Sequence, residues 1–213
     1  MIITVFGATG RVGKYIVNMG LAQGHTVRAF GRNVDGLIDK DMADENFEAI
    51  KGYVFDEADV LKAVHGADAV LSALGGARDG SDKTRSLGVK NIIEQMQKAA
   101  VKRLIVLGGM GSLAHDEYGL IMNKPDYPQV FLPVSKEHLQ AYNYLHQSTL
   151  DWTFIGAPDI PDAPADNDYT VSADYPPATG INKIYAGNIA DFMLKEMKEN
   201  RYLHQRVGIS NLN

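Results

Sequence analysis

Three glycines lie at a spacing of three residues near the amino terminus: Gly7, Gly10 and Gly13, in the sequence ITVFGATGRVGKYI. They follow an apolar run typical of a buried strand and precede a segment with helical period. The first glycine would permit a sharp turn, the second a close approach of backbone N–H groups to a pyrophosphate, and the third close packing of helix on strand. The helix terminus adds oriented N–H donors. This spacing predicts a dinucleotide-binding turn rather than a purely structural one.

The end of the second predicted strand indicates which dinucleotide is preferred. NAD-binding turns usually carry an acidic residue there, about 20 residues after the glycines, for the ribose hydroxyls. This chain instead reads AFGRN at residues 29–33, with no carboxylate before Asp35. The planar fork of Arg32 suits a 2′-phosphate, and Arg11 in the glycine turn could reach the same group. The sequence therefore favours NADP(H) over NAD(H).

Short apolar runs alternate with longer helical segments along the chain. The predicted strands are residues 2–6, 26–30, 52–56, 69–74, 104–107, 152–155 and 207–210, and the predicted helices are residues 11–23, 58–64, 84–100, 135–147 and 182–199. Repeated strand–helix–strand units produce parallel strands with right-handed crossovers. We therefore predict an α/β fold: a Rossmann-type doubly wound parallel sheet with helices on both faces and a small C-terminal substrate-side extension.

Two segments lack this regularity. Residues 112–133 contain three prolines and are predicted to be a loop or lid, and residues 158–177, with five of the eight prolines, are predicted to be irregular. No repeat or low-complexity linker separates them from the remainder. We predict a single NAD(P)-binding domain over residues 1–213, in which residues 1–111 form the cofactor-binding core and residues 112–213 complete the sheet and the substrate-side loops.

Composition excludes several classes of protein. A net charge of −5 argues against nucleic-acid binding, which requires a basic face. The chain has no run of 18 apolar residues to span a membrane, and the opening MIITVFGATG is typical of a strand rather than a signal peptide. It has no cysteine, and its six histidines lack ligand spacing, so we expect neither thiol chemistry nor a metal site. We expect a cytoplasmic protein with a small-molecule substrate; its oligomeric state is not predicted.

The motifs GATGRVG, Gly31-Arg32-Asn33, DEADVLKAVHGADAVLSALGG and VKRLIVLGGMGS together resemble the atypical short-chain dehydrogenase/reductase superfamily. The resemblance is closest to the NAD(P)H-binding group that includes biliverdin-IXβ/flavin reductase and the NmrA-like proteins. It extends through HLQAYNYLHQSTLDWTFIGAPDI and INKIYAGNIADFML and so covers nearly the whole chain.

This resemblance implies roles for particular residues. Thr9, Gly10, Arg11 and Val12 would line the pyrophosphate; Arg32 would hold the 2′-phosphate; Tyr53 and Val54 would flank the adenine; and Ala73, Leu74 and Gly75 would border the ribose near the nicotinamide. Tyr53 stands where the family usually has an aspartate that hydrogen-bonds the adenine, so we expect its ring to stack instead.

The usual catalytic residues of short-chain dehydrogenases are missing. Gly108 and Gly109 replace the serine pair after the fifth strand, and no Tyr-x-x-x-Lys occurs. Three residues remain as candidates for proton transfer. His138 has an ordinary pKa suited to it, Tyr142 lies one helical turn further on, and Asp159 follows a strand end and replaces a histidine of the flavin reductases.

Two functions follow from this resemblance. The first is an NAD(P)H-dependent oxidoreductase that reduces a flavin, a quinone or a similar planar molecule, because such acceptors need proximity to the cofactor more than acid–base chemistry. The alternative is a non-catalytic NADP(H)-binding redox sensor of the NmrA-like type, which the missing tyrosine and serine favour. An epimerase or dehydratase of a nucleotide sugar ranks last, since it would require that tyrosine.

Overall fold

The structure is a computed structural model that describes residues 1–37 and 45–213. Its strands are β1 (Ile2–Phe6), β2 (Thr26–Gly31), β3 (Phe47–Lys51), β4 (Ala69–Ser72), β5 (Arg103–Gly109), β6 (Ala114–His115), β7 (Gly119–Leu120), β8 (Asp151–Ala157), β9 (Tyr169–Ala173) and β10 (Gln205–Asn211). Its α-helices are α1 (Gly13–Ala22), α2 (Glu57–Val64), α3 (Thr84–Lys98), α4 (Leu132–His146) and α5 (Ala186–Glu199).

Eight of these strands form one sheet in the order β3-β2-β1-β4-β5-β8-β10-β9. All neighbours in it are parallel except β9, which pairs antiparallel with β10 at the edge. From β1 the chain adds β2 and β3 on one side and then β4 and β5 on the other, so the strand order reverses at β1. Ligands of open α/β sheets bind at such a switch point. The predicted doubly wound Rossmann-type fold is confirmed.

Helices cover both faces of the sheet because the central strands are apolar on both sides. On one face, Ile16 of α1 and Ile189 of α5 pack against Ile3, Val5 and other buried strand residues. On the other face, apolar side chains of α2, α3 and α4 pack against Phe6, Val70 and Leu104. In the described part of the chain, no helix is long and apolar enough to cross a membrane.

Two sequence predictions of secondary structure are wrong. The third strand is Phe47–Lys51, not residues 52–56, because the chain turns after β3 and Asp56 accepts a hydrogen bond from Asp59 N as the N-cap of α2. Residues 158–177 are not wholly irregular, since β9 lies within them and pairs with β10. Four of the five residues of β9 are only partly buried and the fifth is exposed, as at a sheet edge. The strand therefore lacks the continuous apolar run that is typical of a buried strand.

Candidate functional site

The glycine turn has the geometry that its sequence predicts. Gly7 has φ +75°, and a Cβ there would lie 2.4 Å from the carbonyl oxygen of Ala73. A Cβ on Gly13 would lie 2.1 Å from the Gly7 carbonyl oxygen, so only glycine lets α1 start this close to β1. At Gly10 the nearest atom to an added Cβ is the Gly7 oxygen, at 3.1 Å, and that side of the turn is otherwise open. The first and third glycines are thus required by the fold, and the second leaves space for a ligand.

The backbone at the start of α1 provides hydrogen-bond donors. Gly10 N donates to the Gly7 carbonyl at 2.9 Å, and Lys14 N and Ile16 N donate into the first turn of α1. Within the described residues, the N–H groups of Arg11 and Val12 have no acceptor, and α1 has no side-chain cap. Unsatisfied N–H groups at a helix start form an anion site. The turn therefore fits a pyrophosphate.

A cleft of about 300 Å³ opens at the carboxyl ends of β1, β2, β3 and β4, and we name it the first cleft. It brings together nine of the twelve predicted cofactor-binding residues: Gly7, Thr9, Gly10, Arg32, Tyr53, Val54, Ala73, Leu74 and Gly75. The other three, Arg11, Val12 and Gly13, belong to the same turn. Cofactor contacts by these residues stay a prediction, but the cleft lies at the switch point of the sheet, where ligands of such folds bind.

Two buried or partly buried polar side chains hold the loop that carries Tyr53 and Val54 in place. Asn91 of α3 is buried and donates to the Val54 carbonyl at 2.9 Å, and Asp59 accepts from Tyr53 N at 2.9 Å. The Tyr53 ring remains half exposed and meets Phe55 edge to face at 5.2 Å. Phe55 also lines the cleft and was missed in the sequence. The half-exposed ring of Tyr53 and the partly buried ring of Phe55 suit stacking on a purine.

The structure separates the two arginines that were considered for the 2′-phosphate. Arg32 is exposed at the rim of the first cleft, and no other described residue bonds its guanidinium. Arg11 instead donates to the carbonyl of Ile160 and lines a different cleft. The Arg11 side chain therefore lies outside the first cleft, and its contact with a 2′-phosphate stays a prediction. Arg32 is the better placed of the two.

A second cleft, of about 640 Å³, lies beyond the ends of β5 and β8. Apolar side chains and backbone from residues 109–111, 121, 127–134 and 157–160 form most of its wall. Neighbouring residues line the two clefts: Gly10 and Thr84 the first, and Arg11 and Arg85 the second. The segment between them, residues 75–83, contributes to both clefts, and we name it the bridging loop.

His138 lies where the sequence predicts a proton-handling residue, but its electrostatics differ from the expectation. It lines the second cleft and packs against Gly109, where an added Cβ would lie 2.8 Å from its Cδ2. Burial, and then repulsion from the Arg85 guanidinium, lower the pKa of His138 to about 3. The imidazole is therefore neutral at physiological pH. It can donate or accept a hydrogen bond there, but it is not charged in the way that a general acid would need to be.

Tyr142 is not at the site, so that prediction is wrong. One turn along α4 from His138, its ring meets Trp152 at 5.8 Å and Phe154 at 5.6 Å, and the Arg206 guanidinium lies 5.1 Å above it. It lines neither cleft. The spacing of four residues placed it on the correct helix face but one turn too far from the strand ends.

Asp159 lines the second cleft as predicted, with an exposed side chain, while its backbone carbonyl accepts from Ile184 N at 2.9 Å. Glu137 precedes His138 on α4 and follows the exposed Lys136. It is buried and accepts from Lys83 Nζ at 2.9 Å and from Ser86 Oγ at 2.5 Å. This carboxylate fastens the end of the bridging loop to α4.

Sequence reasoning did not identify a pair of hydroxyl groups that lies in the second cleft. Tyr127 Oη and Ser135 Oγ lie 2.7 Å apart, and both line the cleft. Ser135 is one turn before His138 on α4, so the three polar groups face the same space. An added Cβ at Gly111 would lie 2.6 Å from each hydroxyl oxygen, which explains the glycine there. The signal is weak because Tyr127 lies in a proline-rich segment with no motif.

Known proteins are similar to this chain in sequence and in fold. A family model described as NAD(P)H-binding matches residues 7–200. The uncharacterized protein YwnB of Bacillus subtilis is 30% identical over 159 residues, covering 73% of this chain and 70% of that protein. A solved structure from Bacteroides thetaiotaomicron is 28% identical and covers 100% of this chain and 97% of that chain, with a TM-score of 0.85. A short-chain dehydrogenase/reductase of Veillonella parvula in complex with NADP shares the fold, at 17% identity, coverage of 99% and 94%, and a TM-score of 0.77.

Proposed function

We propose, from the premise that this chain belongs to the NAD(P)H-binding family, that it is an NAD(P)H-dependent reductase of a planar small molecule such as a flavin or a quinone. One observation carries the proposal. The first cleft, which begins at the glycine turn, and a larger, mostly apolar cleft lie beyond the carboxyl ends of one sheet and are lined by adjacent residues. This arrangement suits two rings that must be held together.

The first cleft would hold the pyrophosphate of the cofactor with backbone groups, and its 2′-phosphate and adenine with side chains. The N–H groups of Arg11 and Val12 face the pyrophosphate position, and Gly10 leaves the space for it. Arg32 would pair with the 2′-phosphate, and the Tyr53 ring would cover the adenine. Ala73 to Gly75, at the end of β4, would border the nicotinamide ribose.

Bound NAD(P)H supplies a hydride. The chain itself would contribute proximity and a wall that excludes water, since apolar residues form most of the second cleft. The hydroxyl pair of Tyr127 and Ser135, with the neutral imidazole of His138, can donate hydrogen bonds to a carbonyl or ring nitrogen of the acceptor. An electron-poor ring can take its proton from solvent, so the absence of a Tyr-x-x-x-Lys pair is compatible with this reaction.

Calorimetric titration tests the preference for NADP(H). Arg32 has no other bonding partner in the described structure, so Arg32→Ala removes a charge without disturbing the fold. We expect NADPH binding to weaken by about tenfold or more and NADH binding to stay unchanged. Arg201→Ala, which removes an exposed arginine that lines neither cleft and pairs with Glu199, is the control. Equal losses for both cofactors would refute the phosphate role.

The oxidation of NADPH, followed by its absorbance with FMN, riboflavin, quinones and dyes as acceptors, tests the reductase itself. We expect turnover with at least one planar acceptor. The sensor hypothesis is favoured by the sequence, in which Gly108 and Gly109 replace the serine pair and no Tyr-x-x-x-Lys occurs. Tight binding of NADPH without its oxidation by any acceptor would support the sensor hypothesis and refute the proposed reductase activity.

A further inference from the structure

The start of the bridging loop is not fixed by packing. Gly75 lines the first cleft and Arg78 the second, so Gly76 and Ala77 are the residues that join the two clefts. Gly75 and Gly76 are exposed, and no described residue other than its chain neighbours lies within 4 Å of an added Cβ at Gly75. Glycine loses more conformational freedom on folding than any other residue. Hydrogen bonds rather than the hydrophobic core must therefore hold this segment in one conformation.

Arg85 provides such hydrogen bonds. It lies in the first turn of α3 and is only partly exposed. Its Nη1 donates to the Ala77 carbonyl at 2.9 Å, and its Nη2 donates to the Gly76 carbonyl at 3.0 Å. The planar fork of a guanidinium can bind two successive carbonyls, whereas the ammonium of a lysine is a point charge on a flexible stem. One side chain thus restrains both of the residues that join the clefts.

Asp82 restrains the same segment through its N–H groups. Its carboxylate accepts from Ala77 N at 2.8 Å and from Thr84 N at 3.2 Å. The peptide group between Gly76 and Ala77 is therefore bonded at both ends, its carbonyl to Arg85 and its N–H to Asp82. An added Cβ at Gly76 would lie 2.7 Å from Asp82 Oδ1 and 3.1 Å from Arg85 Nη1, so the three groups fit closely.

Arg85 also lies at the second cleft, which it lines. Asp82 and Glu137 act on its guanidinium electrostatically, and no described carboxylate forms a hydrogen bond with it. After burial, the charge of Arg85 is the second cause that lowers the pKa of His138 to about 3. The guanidinium that restrains the start of the bridging loop is therefore close to the polar groups that would face the acceptor.

We infer that Arg85 is a positioning residue of the proposed reductase: by holding the Gly76 and Ala77 carbonyls, it sets the distance between the cofactor and the acceptor. Hydride transfer requires the two reacting atoms to lie about 3–3.5 Å apart, and a displacement of about 1 Å can slow such a step about a hundredfold. This inference rests on the proposed function for the hydride transfer, but the restraint on the cofactor can be measured without turnover.

Two substitutions test this role. Arg85→Met keeps an aliphatic side chain and removes both hydrogen bonds, and Arg85→Lys keeps the charge but cannot bind both carbonyls. We expect kcat with the best acceptor to fall about a hundredfold in Arg85→Met and about tenfold in Arg85→Lys. The dissociation constant of NADPH, measured by calorimetry, should stay within about twofold, because other residues are predicted to bind its phosphates. Lys90→Met, which removes a cation of α3 that lines neither cleft, is the control.

The fluorescence anisotropy of bound NADPH measures the restraint in the absence of an acceptor. A less restrained nicotinamide ring should lower the anisotropy in Arg85→Met relative to the wild type and to Lys90→Met. Wild-type anisotropy in Arg85→Met would overturn the inference. A loss of NADPH affinity as large as the loss of kcat would also overturn it, because Arg85 would then act on cofactor binding or on the fold as a whole.

Unfolding in urea shows whether each variant is folded. If Arg85→Met is not, Arg85→Lys decides the question, and wild-type kcat and anisotropy in that variant would overturn the inference. The two proposals fail separately. Lower anisotropy in Arg85→Met, without oxidation of NADPH by any acceptor in the wild type, would support the restraint by Arg85 and refute the reductase. A wild-type kcat in Arg85→Met would refute the role of Arg85 and leave the reductase.

Discussion

The two clefts lie beyond the ends of the same sheet but are built from different parts of the chain. The first is formed largely by backbone: a glycine turn, the ends of four neighbouring strands and a loop fastened by Asn91. The second is formed by side chains and backbone that lie far apart in sequence, from Arg11 to Asn182. Backbone geometry at a glycine turn tolerates few alternatives, whereas a wall of side chains can change without altering the fold. We infer that the first cleft sets the cofactor and the second sets the acceptor.

The largest expected effect is on the stability of the glycine turn. In Gly13→Ala the new Cβ would lie 2.1 Å from the Gly7 oxygen, and in Gly7→Ala it would meet the Ala73 carbonyl at a positive φ. We expect each substitution to lower the free energy of unfolding by about 3 kcal/mol, as measured in urea. Gly36→Ala is the control, since no described residue lies within 4 Å of its added Cβ. Near wild-type stability of Gly13→Ala would show that the turn is less constrained than the structure indicates.

Acid should destabilise the second cleft. The folded-state pKa of His138 is about 3, below its value of about 6.5 in an unfolded chain. The unfolded state therefore binds the extra proton first, and stability is lost as pH falls from about 6.5 towards 3, by at most about 1.4 kcal/mol per pH unit for this residue. Burial and the charge of Lys198 also lower the pKa of His25, which adds in the same direction.

Unfolding in urea at several pH values measures this dependence. His138→Gln should flatten the loss of stability between pH 6 and 4, while His65→Gln, at an exposed position after α2, should leave the wild-type slope. A wild-type slope in His138→Gln would show that His138 is not held neutral by the fold.

The smallest expected effect distinguishes two tyrosines. Tyr142→Phe keeps the packing against Trp152 and Phe154 and should leave kcat within about twofold, because the ring lies outside both clefts. Tyr127→Phe removes the hydroxyl that bonds Ser135 and should lower kcat more, by about tenfold. Steady-state kinetics with the best acceptor compare the two variants. A larger loss of kcat in Tyr142→Phe than in Tyr127→Phe would instead support the catalytic role that the sequence suggested for Tyr142.

The contrast between the clefts also explains what the sequence could predict. Gly7, Gly10 and Gly13 act through local geometry, and Arg32 occupies a fixed position after β2, so a motif is enough to locate them. Nine of the twelve predicted cofactor-binding residues accordingly line one cleft. The family prediction is confirmed as membership of the NAD(P)H-binding family.

The second cleft could be predicted only in part, because its residues meet through tertiary packing. His138 and Asp159 were found from the order of the elements, and Tyr142 was placed one helical turn wrong. The bond between Tyr127 and Ser135 joins a proline-rich segment to α4, and no periodicity indicates it. Whether His138 is charged depends on burial and on Arg85, which lies 53 positions earlier in the chain.

The most direct test is a calorimetric titration of the wild type and of Gly10→Ala with NADPH. An added Cβ at Gly10 meets only the Gly7 oxygen, at 3.1 Å, so the variant should fold, while its methyl group would occupy the space of the pyrophosphate. We predict one NADPH site per chain in the wild type and binding weaker by about tenfold or more in the folded variant. No NADPH binding by the wild type, or undiminished binding by Gly10→Ala, would contradict the account.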